Sequence, residues 1–452
     1  MEFIGRENEL SILESQYSNQ DHPFVIIKGR RRVGKSKLIR EFIKDKDAFY
    51  FQVNKEEPQP ILDSFSEKLS RMYGTTISGI TSWTAAIELY VKLSGEGRRI
   101  LVLDEFQYIV KADKNSLCEF QSIWDHILSE ENIMFIISGS YKTMMDKITE
   151  YDEPLYGRNT CDLRLRPLEF RDCMRGADYR YSVEEYAFTG GVPHYMQLFD
   201  RKRSVLENIE SLTMRPGAPL MNEVPYLMSE EFSDLKSYNT YLKTIASGNR
   251  KMEDICSRLR IKSNEVSPYI SKLIGSDILE RRIPITDVAE KSRSGQYVIS
   301  DKFVSFWFRF VYPHREDITV GENDEAFADL EGQYIVGHTA FVFEDISRTE
   351  LRRYLRSKGV AASYGSYWDG TMDIDIVAID KKNKTVYAAE CKYWNSPVGL
   401  NVLNELREKI SKVRQFNDMK VIPCIFSASG YTENIIENAD DAILFNEGER
   451  VN

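Results

Sequence analysis

The chain has 452 residues, 42% of them apolar and 29% charged, and a formal net charge of −10. That length suffices for several independent cores, and the acidic balance excludes a protein that coats nucleic acid by bulk charge, while a local basic patch stays compatible with phosphate contacts. The six cysteines (Cys118, Cys161, Cys173, Cys256, Cys391, Cys424) show no CxxC and no Cys/His spacing, which excludes a zinc finger and predicts reduced thiols. The N-terminal run MEFIGRENEL lacks a signal-peptide layout and no apolar run is long enough to span a bilayer, so a cytoplasmic protein with no membrane partner is expected.

In chain order, Phe24 to Lys28 reads as a short buried strand. Gly29, Arg30, Arg31, Arg32, Val33, Gly34, Lys35 and Ser36 follow, and a helical run opens at Lys37. This is GxxxxGK[ST] in its strand-loop-helix context, a loop whose N–H groups cradle the phosphates of ATP. Lys35 is expected at the β and γ phosphates and Ser36 on Mg²⁺. Arg99 to Leu103 reads as a second parallel strand, ending in Asp104 and Glu105. Asp104 would hold the metal through water and Glu105 would polarise the attacking water. A third buried run, Ile133 to Ile137, ends in Ser138, Gly139 and Ser140, where a polar side chain would sense the γ phosphate.

These motifs, with the opening Phe3 to Leu10, PLYGR (Pro154 to Arg158) and TGGVPHY (Thr189 to Tyr195), together resemble the prokaryotic archaeal ATPase family within the AAA+/STAND group. The resemblance implies an ATPase with a helical lid, a winged helix and a nuclease-like C-terminal domain. It places Gly5 and Arg6 on the adenine side of the site and Pro193 in the lid near the base. It makes Arg158 a candidate arginine finger, supplied within the chain or by a neighbouring copy in a homo-oligomer; the plain alternative is a surface salt-bridge partner. Gly191 and Pro193 could equally just shape a turn.

From Leu235 to about Arg315 the pattern becomes helix, helix, helix, two strands, the order of a winged helix, with Ile255, Leu259, Val266, Ile270, Leu273 and Ile274 at core spacing and a recognition helix from Asn264 to Ile274. Arg258, Arg260, Lys262, Lys272, Arg281, Arg282, Lys291 and Arg293 cluster here, as contacts to a DNA backbone would require. A packing module between domains is the other reading. The aromatic run Phe303 to Tyr312 reads as core or interface.

The last 120 or so residues alternate strand and helix again, carrying Glu344, Asp375, Glu390 and Lys392 in the order of the PD-(D/E)XK nuclease core. Glu390 and Lys392 are two apart on a strand and share a face. Asp375 and Glu390 would be Mg²⁺ ligands, Lys392 would hold the attacking water, Glu344 would add a helix carboxylate, and Asp373 could substitute for Asp375. No Pro-Asp pair occurs, and Cys391 stands between Glu390 and Lys392. The same fold could persist without cutting.

The expectation is therefore an α/β chain of three parts: residues 1–230 a P-loop ATPase with lid, 231–318 a winged helix, and 330–452 a small restriction-endonuclease-like domain. ATP and Mg²⁺ are the expected cofactors and DNA the expected partner. The rival expectation is a STAND-like nucleotide switch that gates assembly or partner binding, with a C-terminal domain that recognises without cutting.

Overall fold

The computed structural model describes residues 3–174, 176, 178–288 and 292–452, so Lys291 lies outside the described residues. The chain divides into two compact units, Met1–Asp172 with Val192–Gln197, and Cys173–Gly191 with Leu198–Asn452.

The first unit is built on a parallel five-stranded sheet. Its strands are β1 (Phe24–Lys28), β2 (Ala48–Gln52), β3 (Arg99–Asp104), β4 (Ile133–Gly139) and β5 (Cys161–Arg164), in the order β2-β3-β4-β1-β5. Helices cover both faces, so β1, β3 and β4 are buried at every position and read as near-continuous apolar runs. Alternation along β1 splits the core in two. Phe24 and Ile26 join Phe49, Phe65 and Phe120 on one side, while Val25 and Ile27 join Leu38, Ile39 and Phe42 on the other. The strand order matters for chemistry, because β4 lies between β1 and β3 and brings its polar C-terminal end between those of its two neighbours.

The second unit opens with the helix Tyr179–Thr189. Phe188 from this helix packs edge-on against Phe303 and Phe306, at 5.3 and 4.8 Å between ring centroids. The Tyr334 hydroxyl donates to the Glu184 carbonyl, 2.7 Å, and a ring nitrogen of His338 lies 2.9 Å from the Ala187 carbonyl. The aromatic run is thus core, with Phe303, Phe306, Trp307 and Phe310 fully buried. This packing goes with the place of Cys173–Gly191 and of the segment from Leu198 onward in the second unit.

Three helices, Leu235–Ala246, Met252–Leu259 and Ser263–Gly275, precede an antiparallel pair, β6 (Leu279–Arg282) and β7 (Gln296–Ile299). Ile255, Val266, Ile270 and Leu273 are buried between them, as their spacing requires, while Leu259 and Ile274 are half-buried. Two π-helical turns, Trp307–Val311 and Ile335–Thr339, flank the helix Asp324–Tyr334, and the second runs into the helix Ala340–Ser357.

The C-terminal sheet contains β8 (Ser363–Trp368), β9 (Asp373–Asp380), β10 (Thr385–Lys392), β11 (Lys420–Ser427), β12 (Ile443–Asn446) and β13 (Glu449–Arg450), side by side in reverse sequence order. β8, β9 and β10 pair antiparallel, whereas β11 joins β10 in parallel after the crossover helix Leu400–Lys412. The chain is α/β: a parallel five-stranded sheet covered by helices, then a separate C-terminal mixed sheet. All six cysteines are free thiols, and among the described residues no helix is long and apolar enough to cross a membrane.

Candidate functional site

The loop from Gly29 to Gly34 leaves the C-terminal end of β1 and feeds the helix Lys35–Ile43. Arg32 and Gly34 have φ of 68° and 101°, the left-handed turns that aim successive N–H groups into one concavity. A β carbon at Gly29 would collide with the Leu165 carbonyl oxygen, so the close approach of loop and β5 needs glycine there. Lys35 is 4% exposed and donates to the carbonyls of Gly29 (2.9 Å) and Arg30 (3.2 Å) across the loop. Val33 is buried, Arg31 exposed and Arg32 half-buried, while the Lys37 ammonium lies 6.0 Å from the Phe3 ring.

Asp104 is fully buried at the end of β3 and collects hydroxyl donors. Ser36 Oγ donates to Oδ2 at 2.6 Å, Tyr50 on β2 donates to the same oxygen, and Ser138 on β4 donates to Oδ1. Burial and the Asp104 charge push the Tyr50 phenol well above its usual range, so it stays a donor. Ser36 and Asp104 form an oxygen pair of the hard type that Mg²⁺ prefers. The next residue, Glu105, has φ of 60°, which turns its carboxylate from the strand direction toward β4. There Ser140 Oγ donates to it at 2.7 Å and Gln107 Nε2 donates to the same oxygen.

Gly5 and Arg6 stand beside the loop. Arg6 is 6% exposed and donates to the carbonyls of Val33 (3.2 Å) and Arg166 (2.7 Å), and its other Nη pairs with Glu9 at 2.9 Å. Pro193 also reaches the loop, since a β carbon at Gly34 would lie 3.9 Å from Pro193 Cγ. Two residues on, the Tyr195 hydroxyl accepts from Arg30 Nη2 at 2.7 Å. Arg158 is different. Its guanidinium forms a two-pronged pair with Asp125 (2.8 and 2.7 Å) and donates to the Pro154 carbonyl at 2.8 Å. Thr160, two residues later, bonds to Phe24 at the start of β1, whereas the P-loop leaves the far end of that strand, roughly 13 Å away. The expected finger is therefore not brought to the phosphate loop of its own chain, and the salt-bridge alternative describes its place here.

In the second unit, Asp375 on β9 and Glu390 on β10 extend the register that pairs Ile376 with Ala389, and so face each other across the hairpin. Asp375 Oδ2 accepts from the Cys391 backbone N–H at 2.8 Å. Burial and the Glu390 charge hold the Asp375 carboxyl above its ordinary range; burial and the charge of Asp375 do the same to Glu344 on the helix Ala340–Ser357. Glu390 is 4% exposed and gripped by two ammonium groups, Lys392 on Oε2 at 2.7 Å and Lys409 on Oε1 at 2.6 Å. Asp373 is exposed, 3.7 Å from Lys409. The four residues expected as a set are thus together. Among the described residues no group of three or more His, Cys, Asp and Glu side chains is arranged to hold a metal.

Sequence reasoning missed Tyr50, Gln107, Tyr195 and Lys409. Gln107 follows Asp104-Glu105-Phe106 directly and Tyr195 closes the TGGVPHY motif, so both were open to notice; Tyr50 and Lys409 come from a strand and a helix whose neighbours only the fold defines. Of the basic cluster near β6, Arg282 is engaged by Glu280 and by Asp345 (3.2 Å), which removes it from any solvent-facing phosphate footprint.

Residues 3–199 match a family described as an ATPase domain predominantly from Archaea, and residues 307–410 one described as "Archaea bacterial proteins of unknown function". The chain is 30% identical over 400 residues to the uncharacterized protein MJECL04 of Methanocaldococcus jannaschii, covering 86% of this chain and 87% of that protein. The Walker-type ATPase PABY2304 of Pyrococcus abyssi aligns with a TM-score of 0.49 at 20% identity, over 68% of this chain and 96% of that one. The ORC2 protein of Aeropyrum pernix in its ADPNP-ADP complexes aligns at 0.44 and 13% identity, over 74% and 96%. Matched along most of its length to the Methanocaldococcus protein, the chain belongs to the archaeal ATPase family, here a P-loop ATPase domain followed by a domain of unknown function.

Proposed function

We propose that the protein binds ATP with Mg²⁺ at Gly29–Ser36 and Asp104, hydrolyses it with Glu105 as the base, and couples its nucleotide state to DNA held and cut by the second unit. In this reading the parts are residues 1–230 as ATPase with lid, 231–318 as winged helix and 330–452 as nuclease-like domain. Lys35 holds the β and γ phosphates, Arg6 braces the loop at Val33, and Pro193 and Tyr195 close over Gly34 and Arg30. Ser36 and Asp104 would hold Mg²⁺, which when bound neutralises phosphate charge. Exposed Arg258, Arg260, Lys262 and Lys272 on and around the helix Ser263–Gly275 supply the DNA-facing charge.

The observation that carries the output reading is the order of elements from Ala340 to Ser427, helix, three antiparallel strands, crossover helix, parallel strand, with Glu344, Asp375, Glu390 and Lys392 converging on it. Asp375 and Glu390 repel one another, and a divalent cation between them would offset that repulsion. Lys392 is placed to hold a water or phosphate oxygen. The test is incubation of the full chain with Mg²⁺, ATP and linear, circular and branched DNA. Lys392→Ala should abolish cleavage and leave ATP turnover intact, while Lys35→Ala should abolish both. No cleavage of any substrate by the wild type sinks the cutting role.

A second reading, a slow nucleotide switch, is favoured by one feature. The Glu105 oxygen that would take a proton already accepts bonds from both Ser140 and Gln107, which occupy the positions an attacking water would need. A wild-type ATPase rate near background that rises in Ser140→Ala would select the switch.

A further inference from the structure

We infer that the second unit contains a phosphate-binding pocket of its own, which takes a nucleotide phosphate against Arg250 and Arg309 with the ring of the ligand on Phe341. The inference does not rest on the function proposed above.

The pocket has a volume of about 820 Å³, within the range of small-molecule sites, and lies among the helix Leu235–Ala246, the turn after it and the first π-helical turn. Lys243, Arg250, Lys251 and Arg309 line it, against two carboxylates, Asp254 and Asp329. Asp329 faces His314 at 3.7 Å and its charge also acts on Arg309. In a chain of net charge −10 this is a concentrated positive surface.

Among the described residues, Arg250 finds no hydrogen-bond acceptor for its guanidinium, which lies 5.0 Å over the Phe341 ring. Nor do the ammonium groups of Lys243 and Lys251 find a carboxylate there. Burial and the nearby charge of Arg282 depress Arg250 below the usual arginine range, with Glu344 acting the other way and Arg309 adding to the repulsion, part of which an anion in the pocket would relieve. Arg309 is fixed in place by donating to the Gly337 carbonyl at 2.5 Å, and a β carbon at Gly337 would overlap its guanidinium. Two π-helical turns meet here, one supplying Phe308 and Arg309 and the other Gly337; such turns give up regular helix bonding to set side chains at sites. Phe341 is 45% exposed and offers a ring face beside the cations. One guanidinium held by a backbone carbonyl, a second without an acceptor, two ammonium groups and a half-exposed aromatic ring match a phosphate attached to a base, from a free nucleotide or from a unit of a single strand.

The test uses the full chain carrying Lys35→Ala, to silence the P-loop, and calorimetry with pyrophosphate, AMP and a short single-stranded oligonucleotide, each beside Arg250→Gln and Phe341→Ala added to that background. Binding of AMP or the oligonucleotide should weaken by about 10-fold or more in Arg250→Gln, recover in Arg250→Lys and weaken with salt. AMP binding without oligonucleotide binding identifies a free nucleotide as the source, and the reverse identifies a strand. Absence of binding by all three probes, or binding indifferent to Arg250→Gln in a variant whose melting curve matches its parent, overturns the inference. Pyrophosphate binding as tight as AMP and unchanged by Phe341→Ala overturns the nucleotide assignment.

Discussion

The two carboxylate clusters of this protein are built on opposite electrostatic terms. At the end of β3, Asp104 is surrounded by neutral donors from Ser36, Tyr50 and Ser138, and Glu105 by Ser140 and Gln107. At the end of β10, Glu390 needs two lysines to be buried at all, while Asp375 and Glu344 repel their acidic neighbours and are held above their ordinary range. Hydroxyls and an amide keep the first cluster in shape whatever its net charge. The second cluster depends on charge balance, and its geometry answers to the arrival of a cation.

The contrast can be broken hardest at Glu105. If its role is to take a proton from the attacking water, Glu105→Gln should lower steady-state ATP turnover by about 100-fold or more while leaving nucleotide affinity near wild type, because glutamine keeps the contacts to Ser140 and Gln107. Lys35→Ala should lose affinity as well. Measuring turnover and binding on both variants separates the roles, and equal loss of binding in the two would remove Glu105 from the chemistry.

A second break concerns His338, buried between the helix Tyr179–Thr189 and the aromatic run. Burial lowers its imidazole from 6.5 to about 4, and the charges of Arg309 and Lys302 push the same way. The unfolded chain therefore binds the proton first. Stability from the neutral ring is full above pH 6.5 and falls as the pH drops toward 4, by about 3 kcal/mol if the whole shift is expressed. Denaturant melts at pH 7 and 4.5 should show wild type losing more than His338→Gln. Glu344 and Asp375 shift the other way and are common to both proteins, so the difference between the two isolates the imidazole.

Glu344 gives the gentler test of the same comparison. Its raised carboxyl means that ionisation costs the folded state, so stability is fullest below the ordinary glutamate range and declines as the pH rises through the folded value. Glu344→Gln should accordingly stabilise the protein by about 1–2 kcal/mol at neutral pH and by little at pH 4. Asp104→Asn should instead destabilise the protein, since it turns an acceptor of three hydroxyl bonds into a poorer one. Thermal melts of Asp104→Asn at neutral pH and of Glu344→Gln at the two pH values decide it.

How much of this was legible beforehand depends on distance along the chain. The P-loop and the Asp104-Glu105 pair are local patterns whose chemistry follows from residue order, and they stand where their strands predict. Glu390 and Lys392 were also legible, because period two on one strand fixes a shared face. Tyr50 and Lys409 were not: each enters its site through packing between elements far apart in sequence, Tyr50 because β2 pairs with β3, Lys409 because the crossover helix returns over β10. The same reason hid the second unit's hold on Tyr179–Thr189. Nothing in the composition of that helix says that its Phe188 belongs with Phe303 and Phe306 rather than with the strands before it.

Arg158 is where residue order and geometry part most clearly, and its variant carries the smallest expected effect. Its position after Pro154 matches where the family resemblance puts a finger, yet its guanidinium is occupied by Asp125, which in turn is held below its usual carboxyl range by that contact. Both side chains are partly exposed, at 25% and 33%, so the pair contributes about 0.2–1 kcal/mol in spite of its two-pronged geometry. Arg158→Ala should thus leave dilute ATP turnover unchanged and lower the melting temperature only slightly. Turnover measured against protein concentration sharpens the point. A wild-type rate per chain that climbs with concentration, and fails to climb in Arg158→Ala, would mean the arginine leaves Asp125 to serve a neighbouring copy; a rate flat in both assigns it to the salt bridge alone.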